Sequence, residues 1–346
     1  MKSTTLPASL TLSDPRAAEF APLMQAIVQS GYGGLEVYRH EQRERPRIAA
    51  NEVLVKVVAA GLDRGTWHLM TGRPYLMRLM GFGFSKPKQP VPGLDVAGEV
   101  VEVGAAVSRF KVGDAVFGIA KGSYAEYAAA LETKLAKKPA HVSFAEAAVL
   151  GVSGTTALGA VEKSGVGPGQ KVLVIGASGG VGSYAVQLAK AMGAEVTGVC
   201  SAAKAELVRA LGASRVLDYA RDDFADGAVR YDVILDLGGN APLSRLRRAL
   251  TKTGTLVIVG GENGGDWSAG MGRMLWAAII SAFVKHRFVA LMAEEHFGPL
   301  ERLAALVNEG TVKPAIDRAF PLAKMPEAMR QLEAGTVQGK LVIQVA

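Results

Sequence analysis

Cysteine is almost missing from this chain: Cys200 is the only one in 346 residues. That excludes an intramolecular disulfide framework and any thiolate-rich zinc site, and it suits a reduced, cytoplasmic setting. Histidine is scarce as well, and His40, His68, His141, His286 and His296 are too scattered for metal-ligand spacing, so no metal is expected. Long apolar runs are absent. The longest, residues 274–284, covers about eleven positions where a bilayer span needs roughly 20, so it reads as a buried or interface helix and no membrane partner is expected. Residues 1–23 lack the charged-then-apolar plan of a secretory signal and read as a flexible N-terminal extension. Blocks of like charge are also lacking. The net charge of +7 comes from Lys and Arg scattered among carboxylates, which argues against a nucleic-acid partner and is accounted for by an anionic cofactor.

What is present is an apolar, glycine-rich chain, 49% hydrophobic with 41 glycines, long enough for two domains with a core each. From Gln25 to about Ala130 the signals are short strands and turns: QAIVQSGYGG, NEVLVKVVAAGL, VPGLDVAGEVVEVG and DAVFGIAKGSYAEYAAA. Alternating Val positions broken by Gly and Pro predict a β-rich, barrel-like domain. At Ser143 the period changes: SFAEAAVL reads as a helix opened by Ser143 with Glu146 closing a capping box. Beyond it, strand-like and helix-like segments alternate (VLVIG, GSYAVQLAKAMGA, EVTGVC, AKAELVRALGA, RVLDY, YDVILDLGG, PLSRLRRALTKTG, TLVIVGG). This is the pattern of a parallel sheet covered by helices on both faces, an α/β fold. The chain ends in an alternating strand, expected to return to the first domain.

The segment KVLVIGASGGVGSYAVQL, 171–188, runs an apolar strand into small residues and then an amphipathic helix, as a dinucleotide-binding turn does. Ala177, Gly179 and Gly182 hold the three glycine positions of the GxGxxG fingerprint. Gly179 and Gly180, with Ser178 beside them, let backbone approach a pyrophosphate, and the helix starting near Val181 turns free N–H groups toward it. The alternative is a glycine turn serving helix packing alone. NAD-specific sites usually close the second strand with Asp or Glu, about 20 residues beyond the glycines. Here Ser201 stands there, followed by Lys204. A hydroxyl and an ammonium suit the extra phosphate of NADPH, which a carboxylate would repel, so NADPH (NADP) is the expected cofactor. Read without a ligand, Lys204 is a solvated lysine at a helix start and Ser201 its cap.

These residues resemble the medium-chain dehydrogenase/reductase superfamily and, within it, the zinc-independent quinone oxidoreductases. The resemblance runs through PGLDVAGEVVEVG (92–104), FKVGDAVFG (110–118), GSYAEY (122–127), LGVSGTTALGAV (150–161), GASGGVGSYAVQLAK (176–190), LGASRVLDY (211–219) and GKLVI (339–343). It implies a GroES-like catalytic domain built from residues 24–145 and 291–346. A doubly wound Rossmann domain, residues 146–290, is inserted between these parts, and the site lies in the cleft between the domains. A homodimer is expected on the same ground. The resemblance also places Thr155 near the cofactor phosphates or ring, Tyr219 beside the adenosine phosphate, and Gly260 and Gly261 beside the nicotinamide carboxamide. Their ordinary alternatives are a helix cap, a half-buried strand end and a turn.

Zinc-dependent relatives carry a GHE segment, where this chain has GLDVAGEV, and a four-cysteine lobe, for which it has no residues. Without a Lewis acid, reduction of an electrophilic acceptor is easier than alcohol oxidation. The resemblance therefore implies hydride transfer from NADPH to a quinone or an α,β-unsaturated carbonyl compound. The substrate side is expected in AAGLDRGTWHLMTGRPY, with Asp63 in that segment, Trp67 and His68 shaping the pocket and Tyr75 donating to a carbonyl oxygen; the alternative for Trp67, His68 and Tyr75 is ordinary packing. Relatives often carry Asn at Asp63 and Asp at Thr66, which weakens any proton relay there. Residues 77–88 are longer and more apolar than a connector needs, either a lid over a greasy substrate or a surface loop. Two other readings stay open on this scaffold, an alcohol dehydrogenase or enoyl-thioester reductase, and a non-catalytic NADPH-binding protein with RNA or a partner as its target.

Overall fold

A computed structural model describes residues 22–239, 241–260, 265–267, 271–281, 284–291 and 295–346. Most of the predicted N-terminal extension lies outside them. Two large sheets organise the rest. Six strands in the spatial order Arg215–Asp218, Glu195–Cys200, Lys171–Ile175, Tyr231–Asp236, Leu250–Ile258 and Arg287–Ala290 form a sheet in which every pairing is parallel. The chain starts in the middle, winds to one edge, then returns across the starting strand. The switch between Lys171–Ile175 and Tyr231–Asp236 leaves a crevice at the carboxyl ends of those strands, where ligands of open α/β sheets bind. Sequence reading missed the sixth strand, because RFVA is short and has no alternation.

The second sheet has seven strands and is mixed. Glu52–Leu62 lies at its centre, paired antiparallel with Asp95–Val103, Tyr127–Leu131 and the final strand Lys340–Gln344. Its burial pattern is nearly continuous rather than alternating, as expected for a strand covered on both faces. Leu23–Gln29 and Tyr38–Glu44 form a separate hairpin-like pair. The α/β architecture, with a GroES-like sheet and a doubly wound parallel sheet, is thus the one expected.

One apolar cluster joins the two sheets. It contains Ala59, Ala97 and Phe117 from the mixed sheet and Val172, Val174 and Val233 from the parallel one. Between them runs the Gly151–Ser164 helix, with ten of its fourteen residues buried. Its approach is fixed by the short Phe144–Ala147 helix. There Ser143 and Glu146 form the expected capping box: Glu146 N–H donates to Ser143 Oγ at 3.2 Å and Ser143 N–H to Glu146 Oε2 at 2.9 Å. Ser143→Ala is expected to lower stability by about 1 kcal/mol in a urea titration, with no change in cofactor affinity.

Candidate functional site: a dinucleotide cleft

The strand Lys171–Ile175 ends at Gly176, whose φ of 84° lies in the left-handed region. Ala177 has no such requirement, so alanine is accommodated at the first fingerprint position. Gly176 and Ala177 both donate to Val199 O at 3.1 Å, which ties the turn to the neighbouring strand. The helix Gly180–Ala191 follows, with Gly179 extended before it. Its first N–H groups have no intrahelical acceptor and carry the positive end of the helix dipole. Gly182 has to be glycine, since a Cβ there would lie 2.1 Å from Gly176 O. Gly182→Ala must push the helix off the turn. The expected cost is about 1–3 kcal/mol of stability, with nucleotide affinity falling at least about tenfold in a fluorescence titration.

Two cavities flank this turn. One, of about 330 Å³, is bordered by Ser178, Ser201, Lys204, Tyr219, Phe224 and Arg245. The other, of about 290 Å³, is bordered by Asp63, Ser153, Gly179, Gly180, Val181 and Lys340. Lys204 borders both. Its Nζ donates to Gly335 O at 2.6 Å and Val337 O at 2.7 Å, which straps the parallel-sheet half to the segment entering the last strand. Burial draws the Lys204 ammonium below its usual range, with Asp317 opposing. Arg245 stacks over Phe224 and holds Asp223 Oδ1 through Nε and Nη2 at 3.0 and 2.8 Å.

Beneath the second cavity lies a buried charged cluster. Lys340 Nζ donates to Asp95 Oδ2 and to Ser153 Oγ, each at 3.1 Å, and stands 3.8 Å from Asp63 Oδ2. Asp95 Oδ1 accepts from Val152 N–H at 2.6 Å. Burial pushes the Asp95 carboxyl up to about 6; Lys340 pulls against that shift and Asp63 adds to it. Asp63 Oδ1 caps the Arg64–Thr71 helix by accepting from Thr66 N–H at 3.1 Å. Its Oδ2 is buried without a hydrogen-bond partner on a residue that borders the cavity. Gly180 brings the turn down onto this cluster, where a Cβ would meet Lys340 Cδ at 2.9 Å and Ser153 Oγ at 3.0 Å.

Comparison with known proteins bears on the whole chain. The Alcohol dehydrogenase GroES-like domain family matches residues 49–140, and the family described as Zinc-binding dehydrogenase matches 211–343. The chloroplast envelope quinone oxidoreductase homolog of Arabidopsis thaliana is 35% identical over 93% of this chain and 98% of its own. The chain belongs to the medium-chain dehydrogenase/reductase family, on its quinone oxidoreductase branch. A second Arabidopsis thaliana relative, the chloroplastic NADPH-dependent alkenal/one oxidoreductase, is 32% identical over 92% of this chain and 79% of its own. The quinone oxidoreductase of Coxiella burnetii superposes with a TM-score of 0.84 at 30% identity, covering 94% and 100% of the two chains.

As a family member the protein is an oxidoreductase with a nicotinamide cofactor, and its cleft fits that group. The turn admits backbone approach because side chains are sterically excluded at Gly180 and Gly182, and the orphaned Asp63 oxygen offers an acceptor to a ligand hydroxyl. No three of His, Cys, Asp and Glu stand close enough to hold a metal ion among the described residues. None of the described helices is long and apolar enough to cross a membrane.

The expected site residues divide sharply. Ser178, Gly179, Gly180, Val181, Ser201, Lys204, Tyr219 and Asp63 border the two cavities, and Gly182 supports the turn. Gly260 packs at the end of its strand, where a Cβ would meet Leu237 O at 2.2 Å; Gly261 lies outside the described residues. Four others, Thr155, Trp67, His68 and Tyr75, do not border either of these two cavities. Thr155 donates its hydroxyl to Gly151 O at 2.7 Å inside its own helix, and the cleft-facing residues of that helix are Val152 and Ser153. Trp67 Nε1 donates to Glu333 Oε1 at 2.9 Å, and His68 Nδ1 lies 2.8 Å from Arg73 O. Tyr75 stacks edge-to-face on Trp267, 5.5 Å between centroids. Sequence reading missed Ser153, Asp95, Lys340 and Arg245. GKLVI enters the sequence reading as a strand and a family motif, with no role for its lysine, although a lysine that opens a buried strand is itself a signal.

Proposed function

We propose that the protein is an NADPH-dependent reductase that transfers hydride to a quinone or to the β-carbon of an α,β-unsaturated carbonyl compound. The observation that carries the NADPH preference is the cavity at the end of Glu195–Cys200: the position of an adenosine-ribose carboxylate is Ser201, and Lys204, Tyr219 and Arg245 border the same space. The names of the two Arabidopsis relatives support the acceptor class. In this reading the N–H groups of residues 180–182 bind the pyrophosphate, Ser201 and Lys204 hold the extra phosphate, and Tyr219 covers it. Asp63 Oδ2 accepts a ribose hydroxyl, with Lys340 Nζ 3.8 Å away on its other side. When bound, the dihydronicotinamide supplies the hydride. The protein aligns the acceptor and excludes water. Among the described residues Asp63 is the one acid bordering the second cavity, beside Arg64, Lys204 and Lys340. A homodimer in a reduced, cytoplasmic compartment belongs to the same reading.

The test follows consumption of NADPH and NADH with phenanthrenequinone, a benzoquinone and a medium-chain enal, with metal analysis of the same sample. NADPH-preferring turnover of a quinone or the enal is the expected result. Preference for NADH, dependence on stoichiometric zinc, activity on alcohols alone, or nucleotide binding without turnover would each overturn it.

A further inference from the structure

Several apolar side chains of residues 76–84 are exposed. Leu79, Met80 and Phe84 are 67, 63 and 76% exposed, with Phe82 and Leu76 also exposed. This is not a slack loop. Arg78 stacks on Tyr32 and Tyr75 and donates to Gly72 O at 2.9 Å and Thr71 O at 3.2 Å. Tyr32 Oη donates to Gly83 O at 2.8 Å, and Lys88 N–H to Phe82 O at 3.0 Å. On the other side Tyr75 N–H and Leu76 N–H donate to Asp266 O and Trp267 O, which sets the exposed Trp267 indole beside the excursion. A cavity of about 190 Å³ lies underneath, bordered by Leu69, Phe82, Val91 and Leu94. Leu79, Met80 and Phe84 do not enter it. A polar stalk therefore holds greasy tips in water, and such a patch marks an interaction surface.

Charge identifies what covers it. From Arg64 to Leu94 the sequence has no Asp or Glu, while Arg64, Arg73, Arg78, Lys86 and Lys88 are all basic. Asp266 stands 3.2 Å from Arg73, and no ion pair to Lys86 or Lys88 occurs among the described residues. A second copy meeting this face by two-fold symmetry would set these cations against themselves. An anionic bilayer offers both complements, hydrocarbon for the tips and phosphates for the rim. We propose that residues 76–88 are a membrane-surface anchor: Leu79, Met80 and Phe84 enter the headgroup boundary of an anionic membrane, and Arg73, Lys86 and Lys88 meet its phosphates. The exposed Trp267 indole beside the tips is a side chain that such boundaries favour. The anchor places the protein on a surface without a spanning helix, and it does not depend on the hydride-transfer reading.

The full-length protein, without added nucleotide, is floated with phosphatidylcholine vesicles containing or lacking phosphatidylglycerol, and its mass in solution is measured by light scattering. Binding to the anionic vesicles alone, screened by salt, is expected. Lys86→Gln and Lys88→Gln should each weaken it about fivefold, and Leu79→Ser with Phe84→Ser at least about tenfold, with melting temperatures unchanged. No binding to anionic vesicles at low salt, equal binding to both compositions, or a dimer that dissociates on Leu79→Ser with Phe84→Ser would overturn the proposal. The last result would make the patch a contact between copies.

Discussion

Ser201→Asp will reverse the cofactor preference. Ser201 follows the strand Glu195–Cys200 in an extended conformation, φ −76° and ψ 154°, and its side chain makes no capping bond. A carboxylate introduced there faces the cavity shared with Lys204 and Tyr219. Two unit charges 4 Å apart interact by about 4 kcal/mol at the effective dielectric of a protein surface. Solvent at this open site reduces that, so a rise of about 100-fold in the KM for NADPH is the reasonable scale. NADH carries no such phosphate, and its ribose hydroxyls gain an acceptor, so its KM should stay level or fall. Ser201→Ala, which removes one hydroxyl and adds no charge, should cost NADPH far less. Equal losses for both nucleotides in Ser201→Asp would remove Ser201 from the phosphate site. Lys204→Glu is the weaker test even though its charge change is larger. It strips Gly335 O and Val337 O of their donor, so NADPH affinity and the strap between the two halves would be lost together.

The contrast between those two residues shows what the sequence could and could not reveal. Local features were legible: the strand-turn-helix at 171–191, the capping box at Ser143, the alternation of strands and helices, and the missing carboxylate at Ser201. Each depends on residues a few positions apart, where backbone chemistry decides the outcome. Gly176 was passed over because the fingerprint begins one residue later, although the left-handed turn falls on Gly176. The charged cluster was invisible for a different reason. Lys340 is 245 positions from Asp95 and 187 from Ser153, and only the pairing of the last strand with Glu52–Leu62 brings them together. Trp67, His68 and Tyr75 were assigned to the cleft by resemblance, whereas the direction of a side chain on a short helix depends on what its neighbours bond. Glu333, the Arg73 carbonyl and Trp267 take those three. The apolar residues 77–88 were noticed, but their exposure follows from how Arg78 and Tyr32 brace the excursion, which no periodicity encodes.

Lys340→Met should produce the largest loss of stability, and the loss should depend on pH. The substitution keeps the aliphatic stem and removes an ammonium from beside Asp95, a fully buried carboxyl. Breaking a buried pair from one side costs about 3–5 kcal/mol, because the remaining charge has no counter-ion. In the intact protein Asp95 already titrates at about 6 against an ordinary 3.8. A carboxyl whose value is higher folded than unfolded favours folding when it is protonated. Its contribution is complete below about 3.8 and is lost as the pH rises through about 6. Without Lys340 the pull that opposed burial is gone, so the folded value moves higher and the loss above it deepens. Urea midpoints at pH 5 and pH 8 should therefore separate more in Lys340→Met than in the intact protein, with the variant weaker at pH 8. Adding Asp95→Asn removes the stranded charge and should recover most of the pH 8 loss, since deleting both partners of a buried pair is far milder than deleting one. A single variant as stable as the double one at pH 8 would show that the Lys340–Asp95 pair does not fasten the last strand beneath the cleft.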